Sequence, residues 1–405
     1  MKKAARLLAL ILSLLMLLCA FPALAEETPA ASPEATEAPT PTPEPTITTA
    51  CALTLPESMA GKAYRLLDAY VESYVPLAAG ESLLVELPEA AQGLYLEWYA
   101  PTEAYQIEEL SAAGAALGTQ AALPYINSYY PLQPDTRALR VTALEACSLS
   151  GLRVYAAEAE LPPDLQLWQA PAESPDLAFL AATTEAALTE YFAAIAIYAV
   201  EHEVETAILC LSVETRAMQN DFLAALWALG VRQYPYFGGF FSWNNGSYRM
   251  VNAEWGAKNL KNWLEALLPA LSPRVLVCHA DDEDAANQAA YYTTDQLLQL
   301  LDNSKSPLSE LPLEKLYLTA AEGTTLDLDA PLISRNGATA RQSVEETAFE
   351  AFTSLHDRPE GVTARASFAL HSSRVGEDAQ GTDLLENIPQ ESLRRYAAPT
   401  ATPEP

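Results

Sequence analysis

The hydrophobic pattern of the chain changes period at Pro162-Pro163, and that change limits the folds open to it. Before it, the runs 83–87, 94–99, 139–143 and 152–155 are short and partly alternate apolar with polar residues, with Pro or Gly in the gaps. Strands with one buried face read this way, so a small antiparallel β-sandwich is expected. After it, the unbroken apolar runs 177–181, 207–211, 275–278 and 316–318 have the length of strands buried on both faces. Longer helical patterns separate them. From Glu254 to Leu268, for example, Trp255, Leu260, Trp263, Leu264, Leu267 and Leu268 share one broad face while Lys258, Lys261 and Glu265 turn away. Alternation of strand and helix indicates an open α/β sheet, and such sheets bind ligands beyond the carboxyl ends of their strands. The loops after Ala181 and after Cys278 are therefore where chemistry is expected.

The ends of the chain have a different composition. Lys2, Lys3 and Arg6 precede an apolar run to Leu18, and Ala23-Leu24-Ala25 follows as a small-x-small cleavage site. This is the pattern of a Sec signal peptide over residues 1–25, which implies a secreted, extracellular protein. Residues 26–49 are Pro, Thr, Glu and Ala with little to bury, and the same composition returns at 397–405; both read as disordered. Between them, 50–162 forms the β-sandwich module and 163–396 the α/β domain. No later run offers the roughly 20 apolar residues that a membrane span needs. A formal net charge of −30 makes nucleic acid and anionic lipid poor partners. Cys51, Cys147, Cys210 and Cys278 are too widely spaced for a cysteine-held metal, while Cys51 and Cys147 fall in one module and are candidates to pair.

Three blocks carry a family resemblance. The segment from Phe222 to Pro235, with Leu229-Gly230-Val231 inside it, is similar to a helix of the PIG-L/LmbE N-acetylglucosaminyl deacetylases. The stretch Phe368 to Asp378, followed by Asp383 to Ile388, resembles the closing block of their larger exported members, and Gly93-Leu94-Tyr95-Leu96-Glu97-Trp98 resembles the N-terminal β-module of those members. The segment from Leu149 to Tyr155 is also similar to the last strand of galactose-binding-like, discoidin-type modules. The resemblance implies a Rossmann-like, mostly parallel sheet, an N-acetyl hydrolase activity on amino sugars, and zinc as cofactor.

Active members of that family carry Ala-His-Pro-Asp-Asp-Glu after the first strand, with the His and the second Asp on zinc and the first Asp as general base. Here the corresponding residues are Thr183 for the His, Glu185 for the base and Ala186 for the ligand Asp. The third ligand, a His early in the helix after 275–278, falls on Asn287 or Ala290 depending on register, while His279 matches a His of the same block. A catalytic zinc needs three ligands and an open position for water. With Thr183, Ala186 and Asn287 or Ala290 in those places no zinc, and no other cofactor, is expected.

Glu185 at the base position and His279, beside Asp281, Asp282, Glu283 and Asp284, remain as catalytic candidates. The acidic run matches no Ca²⁺ loop and reads as a solvated stretch at a helix start. For binding, Phe240, Phe241 and Trp243 lie in an aromatic, glycine-bearing segment expected to be a loop that either stacks on a sugar or packs as a hydrophobic lid on its own domain, and Tyr125, Tyr129 and Tyr130 are candidates for sugar stacking or for packing. There is no G-x-S-x-G elbow and no phosphate-binding G-x-x-x-x-G-K-[ST] loop. The reading is an inactive secreted homologue that binds a glycan, amino sugar or protein, in a cleft between the loops at Thr183 and Asn287. The alternative is a hydrolase of N-acetyl groups with a non-standard metal site.

Overall fold

The computed structural model describes residues 46–213, 215–241, 246–353 and 364–395. The signal peptide, nearly all of the linker, the tail, His356 and Trp243 lie outside the described residues. No helix among those described is long and apolar enough to cross a membrane.

The N-terminal part is a β-sandwich of nine strands: β1 (Ala52–Thr54), β2 (Val75–Leu77), β3 (Ser82–Glu86), β4 (Ala91–Trp98), β5 (Tyr105–Leu110), β6 (Ala116–Ala121), β7 (Asn127–Pro131), β8 (Ala138–Ala143) and β9 (Cys147–Ala156). One sheet has the order β1-β3-β8-β5-β6 and the other β2-β9-β4-β7, and every pairing is antiparallel. Alternate residues face inward, as period-two strands require, so that Leu83, Val85, Leu94, Leu96, Val141 and Val154 close one core. Cys51 and Cys147 are unpaired thiols at its edge.

The second part is a six-stranded sheet made of β10 (Leu177–Thr183), β11 (Thr206–Ser212), β12 (Tyr236–Phe240), β13 (Val275–Cys278), β14 (Lys315–Thr325) and β15 (Ser367–Ser373), in the order β12-β11-β10-β13-β14-β15. All neighbours run parallel except β15, which pairs antiparallel with β14. Both faces are covered. Leu177, Phe179 and Ala181 pack into one cluster with Phe222 and Leu226, and the alternating Ala178, Leu180 and Ala182 into another with Leu260, Leu264 and Leu268. That two-sided burial is why these strands read as unbroken apolar runs.

Helices follow three of these strands: α1 (Thr184–Glu190) after β10, α2 (Arg216–Leu229) after β11 and α3 (Gln288–Asp302) after β13. α2 begins where the Thr215 side chain accepts the Met218 N–H at 3.1 Å and stops at Gly230, whose φ of +106° only glycine adopts freely.

Two expectations are corrected. The helix expected over 254–268 is two, Tyr248–Trp255 and Ala257–Leu271, because Gly256 turns the chain at φ +73°. The aromatic loop expected over 237–243 begins as strand β12, which adds to the edge of the sheet through β11.

The sandwich and the α/β sheet belong to one compact unit. Arg216 of α2 donates from Nε to the Trp98 carbonyl at 3.0 Å and from Nη2 to Asn127 Oδ1 at 3.1 Å. The Tyr125 ring stacks on Tyr234 at 4.5 Å, and the Tyr234 hydroxyl accepts the Ile126 N–H. Tyr125 and Tyr130 are thus buried, and their expected alternative of packing is the one observed.

Candidate functional site

The strand order reverses between β10 and β13, so their carboxyl ends frame the crevice where an open α/β sheet would bind a ligand. Thr183 and His279 stand at those ends. Thr183 is 3% exposed, and its Oγ1 accepts the Ala186 N–H at 3.1 Å, which makes it the N-cap of α1. Asn287 does the same for α3, its Oδ1 accepting the N–H groups of Ala289 and Ala290. Both oxygens are committed to orphan amides at helix starts. Ala186 and Ala290 are buried and have no donor atom to offer.

His279 is 1% exposed and fully engaged. Its Nε2 accepts the Ala182 N–H at 2.8 Å, which leaves Nδ1 as the ring's donor. Nδ1 lies 2.9 Å from Glu190 Oε2 and 3.0 Å from the Tyr191 hydroxyl, and the ring stacks on Tyr191. The same Glu190 oxygen accepts the Thr319 hydroxyl at 2.9 Å, so one imidazole ties β10, β13 and β14 together. Burial works against the Glu190 carboxylate, but His279, Arg365 and Thr319 together hold its pKa below the ordinary glutamate range.

These residues do not fit a zinc ion. Two of the ligand positions are caps, two are alanines, and the one histidine has both nitrogens occupied. Among the described residues no three His, Cys, Asp or Glu side chains come together as a metal-holding group. Glu185 is exposed on the first turn of α1, and the run Asp281 to Asp284 is exposed as well. His279, a catalytic candidate in the sequence, stands here as a buried tie between strands. His279→Ala is expected to lose about 2–4 kcal/mol of unfolding free energy, since it empties a buried site and strands the Ala182 amide and Glu190. Denaturant melts of the two proteins check this.

The expected stacking rings divide. Phe240 is 9% exposed and packs against Trp255 and Trp263, so it has no face for a sugar, whereas Phe241 is 41% exposed.

Cavities lie instead along the seam between sandwich and α/β sheet. One of about 600 Å³ is lined by Glu97, Asn127, Arg153, Gln166, Asn220 and Trp227 among others. A second of about 370 Å³ shares Glu97, Arg153 and Asn220 with it, so the two run together as a groove. Glu97 and Arg153 pair across β4 and β9, and Gly151 permits this, since a Cβ there would lie 2.2 Å from Glu97 Oε2. Asn127 Nδ2 donates to Gln166 Oε1 and Asn220 Oδ1, at 3.1 and 3.0 Å. Both acceptors being used, the amide NH₂ ends of Gln166 and Asn220 are the polar ends left for a ligand. Trp227 donates to the Pro163 carbonyl and carries the Arg232 guanidinium 3.8 Å over its ring. Among the described residues that line it, the acids Glu97 and Asp164 are matched by Arg153 and Arg232, so this lining is close to neutral in an acidic protein. Sequence reasoning missed it because its walls come from two modules far apart in the chain.

No family model and no curated protein matches the chain. Solved structures similar to part of it include the lectin domain of lectinolysin complexed with Lewis B antigen, 14% identical over 26% of this chain and 92% of that chain, at a TM-score of 0.22. A Streptococcus pneumoniae fucose binding module is 14% identical over 27% and 93%, with a TM-score of 0.22. The carbohydrate-binding module CBM32 of AlyQ, in complex with 4,5-unsaturated mannuronic acid, is 15% identical over 26% and 95%, with a TM-score of 0.22.

Proposed function

We propose that this chain is a non-catalytic, exported relative of the PIG-L/LmbE deacetylases, with a Rossmann-like α/β body, that binds a neutral saccharide in the seam groove. The observation that carries this reading is the contrast between the two places. At the ends of β10 and β13 Thr183, Asn287 and His279 are committed to caps and to the tie, and the polar groups that stay exposed there among the described residues are carboxylates, Glu185 and Asp281 to Asp284. In the groove, side-chain amides face a concave, charge-balanced surface next to Trp227. Amide donors beside a paired acid and base suit hydroxyl and N-acetyl oxygens, and a neutral lining gives no preference to an ammonium or a carboxylate. N-acetylated oligomers are therefore favoured over the free amino sugars that the acidic run 281–284 would attract. The test is a titration of chitohexaose into metal-stripped protein, with acetate release followed in the same samples. Saturable binding without acetate is expected.

A further inference from the structure

A further hollow of about 420 Å³ lies at the start of α2, between Glu72 and Tyr99 of the sandwich part and Thr215, Arg216, Gln219 and Phe241 of the α/β part. Its distinguishing feature is Arg216. This side chain is 6% exposed and uses Nε and Nη2 on Trp98 and Asn127, but among the described residues its buried Nη1 has no hydrogen-bond partner. A buried guanidinium nitrogen left unpaired is costly unless something arrives to accept from it. An anion is the obvious acceptor at a helix start. That role is already filled, because Glu72 Oε1 accepts the Ala217 N–H at 3.3 Å. What the hollow offers is thus one donor of positive charge, one carboxylate, and two partly exposed rings, Phe241 at 41% and Tyr99 at 38%, the latter tilted against Tyr74 at 4.8 Å.

We propose that this hollow is a second subsite, taking one neutral pyranose ring of the same saccharide. It rests on the glycan-binding reading above and adds where the ring is recognised and by what chemistry. One hydroxyl accepts from Arg216 Nη1 while a neighbouring hydroxyl donates to Glu72, so a vicinal diol satisfies both charges where a carboxylate would meet Glu72 repulsion. The apolar face of the ring packs on Tyr99 or Phe241. Arg216 and Asn220 stand one turn apart on α2, and Glu97 and Tyr99 two residues apart, so the hollow adjoins the groove and one oligomer reaches both.

The experiment is calorimetry of the full chain with chitohexaose and, separately, with an oligogalacturonate of similar length. Tyr99→Ala and Phe241→Ala are the main variants because each ring is more than a third exposed; Glu72→Gln probes the diol. At least one of the two aromatic variants is expected to weaken chitohexaose binding roughly tenfold with an unchanged circular dichroism spectrum. Full retention of affinity in both, while a block in the groove abolishes binding, overturns the subsite and leaves the glycan reading standing. Tighter binding of the galacturonate overturns the diol chemistry. No heat from the wild type with either oligomer overturns the glycan reading itself, and the subsite with it.

Discussion

Asp378→Asn is expected to lower the unfolding free energy by about 3–5 kcal/mol at neutral pH, because it leaves a buried ammonium without its counter-charge. Lys315 is on β14 with a side chain fully out of solvent, and its Nζ pairs with Asp378, which is itself almost buried. The second carboxylate oxygen accepts the Tyr317 hydroxyl and, at 2.8 Å, the Thr324 hydroxyl, while Nζ also reaches the Tyr317 hydroxyl at 3.1 Å. Burial pushes the Asp378 pKa up, but the bonds from Lys315, Tyr317 and Thr324 outweigh it and hold the carboxyl below the usual aspartate range. A depressed carboxylate contributes stability above its unfolded pKa and loses it as pH falls through the folded one. The wild type should therefore weaken steeply on acidification below the ordinary aspartate pKa, and the Asn variant should show a flatter acid limb from a lower start. Urea titrations at a series of pH values read both. The double change Lys315→Met with Asp378→Leu should recover much of the loss, since two apolar groups leave no charge uncompensated.

Ala224→Trp should abolish chitohexaose binding. Ala224 is half-buried on α2 and lines the groove, so an indole there fills the space without removing a hydrogen bond. Its cost to the helix is a few tenths of a kcal/mol, small enough to leave the fold intact. Phe240→Leu, on the core side of β12, is the contrasting change, expected to alter stability and leave affinity alone. Comparable binding by Ala224→Trp and wild type would place the saccharide elsewhere on the surface.

The strands with the plainest patterns in the sequence are the ones with the plainest environments. Leu177–Thr183 and Thr206–Ser212 are buried at every position, and their polar residues Thr183, Thr206 and Ser212 stand only at the ends, so the apolar runs between stand out. β12 was hidden because Gly238 and Gly239 carry no side-chain pattern and the strand takes its hydrogen bonds from β11. β6 was hidden for another reason: its residues are exposed or half-exposed throughout, and only pairing with β5 makes it a strand. The positions Thr183 and Asn287 were readable as non-ligands, but not as caps, since a cap depends on which amides the fold leaves orphaned. The environment of His279 was illegible for a similar reason. Glu190 and Tyr191 are far from it in sequence, as is Thr319, which reaches Glu190 and the Ala280 N–H, and the parallel register of β10, β13 and β14 brings them together.

A chain that holds a neutral saccharide without metal and does not cleave it should bind chitohexaose after chelation. Calorimetric titration of chitohexaose into protein dialysed against EDTA, with acetate assayed at the end, reads both properties. A saturable isotherm that added zinc leaves unchanged is expected, with no acetate above the buffer control. Binding that appears only when zinc is restored, or acetate accumulating with it, would contradict this and make the chain a metal-dependent hydrolase.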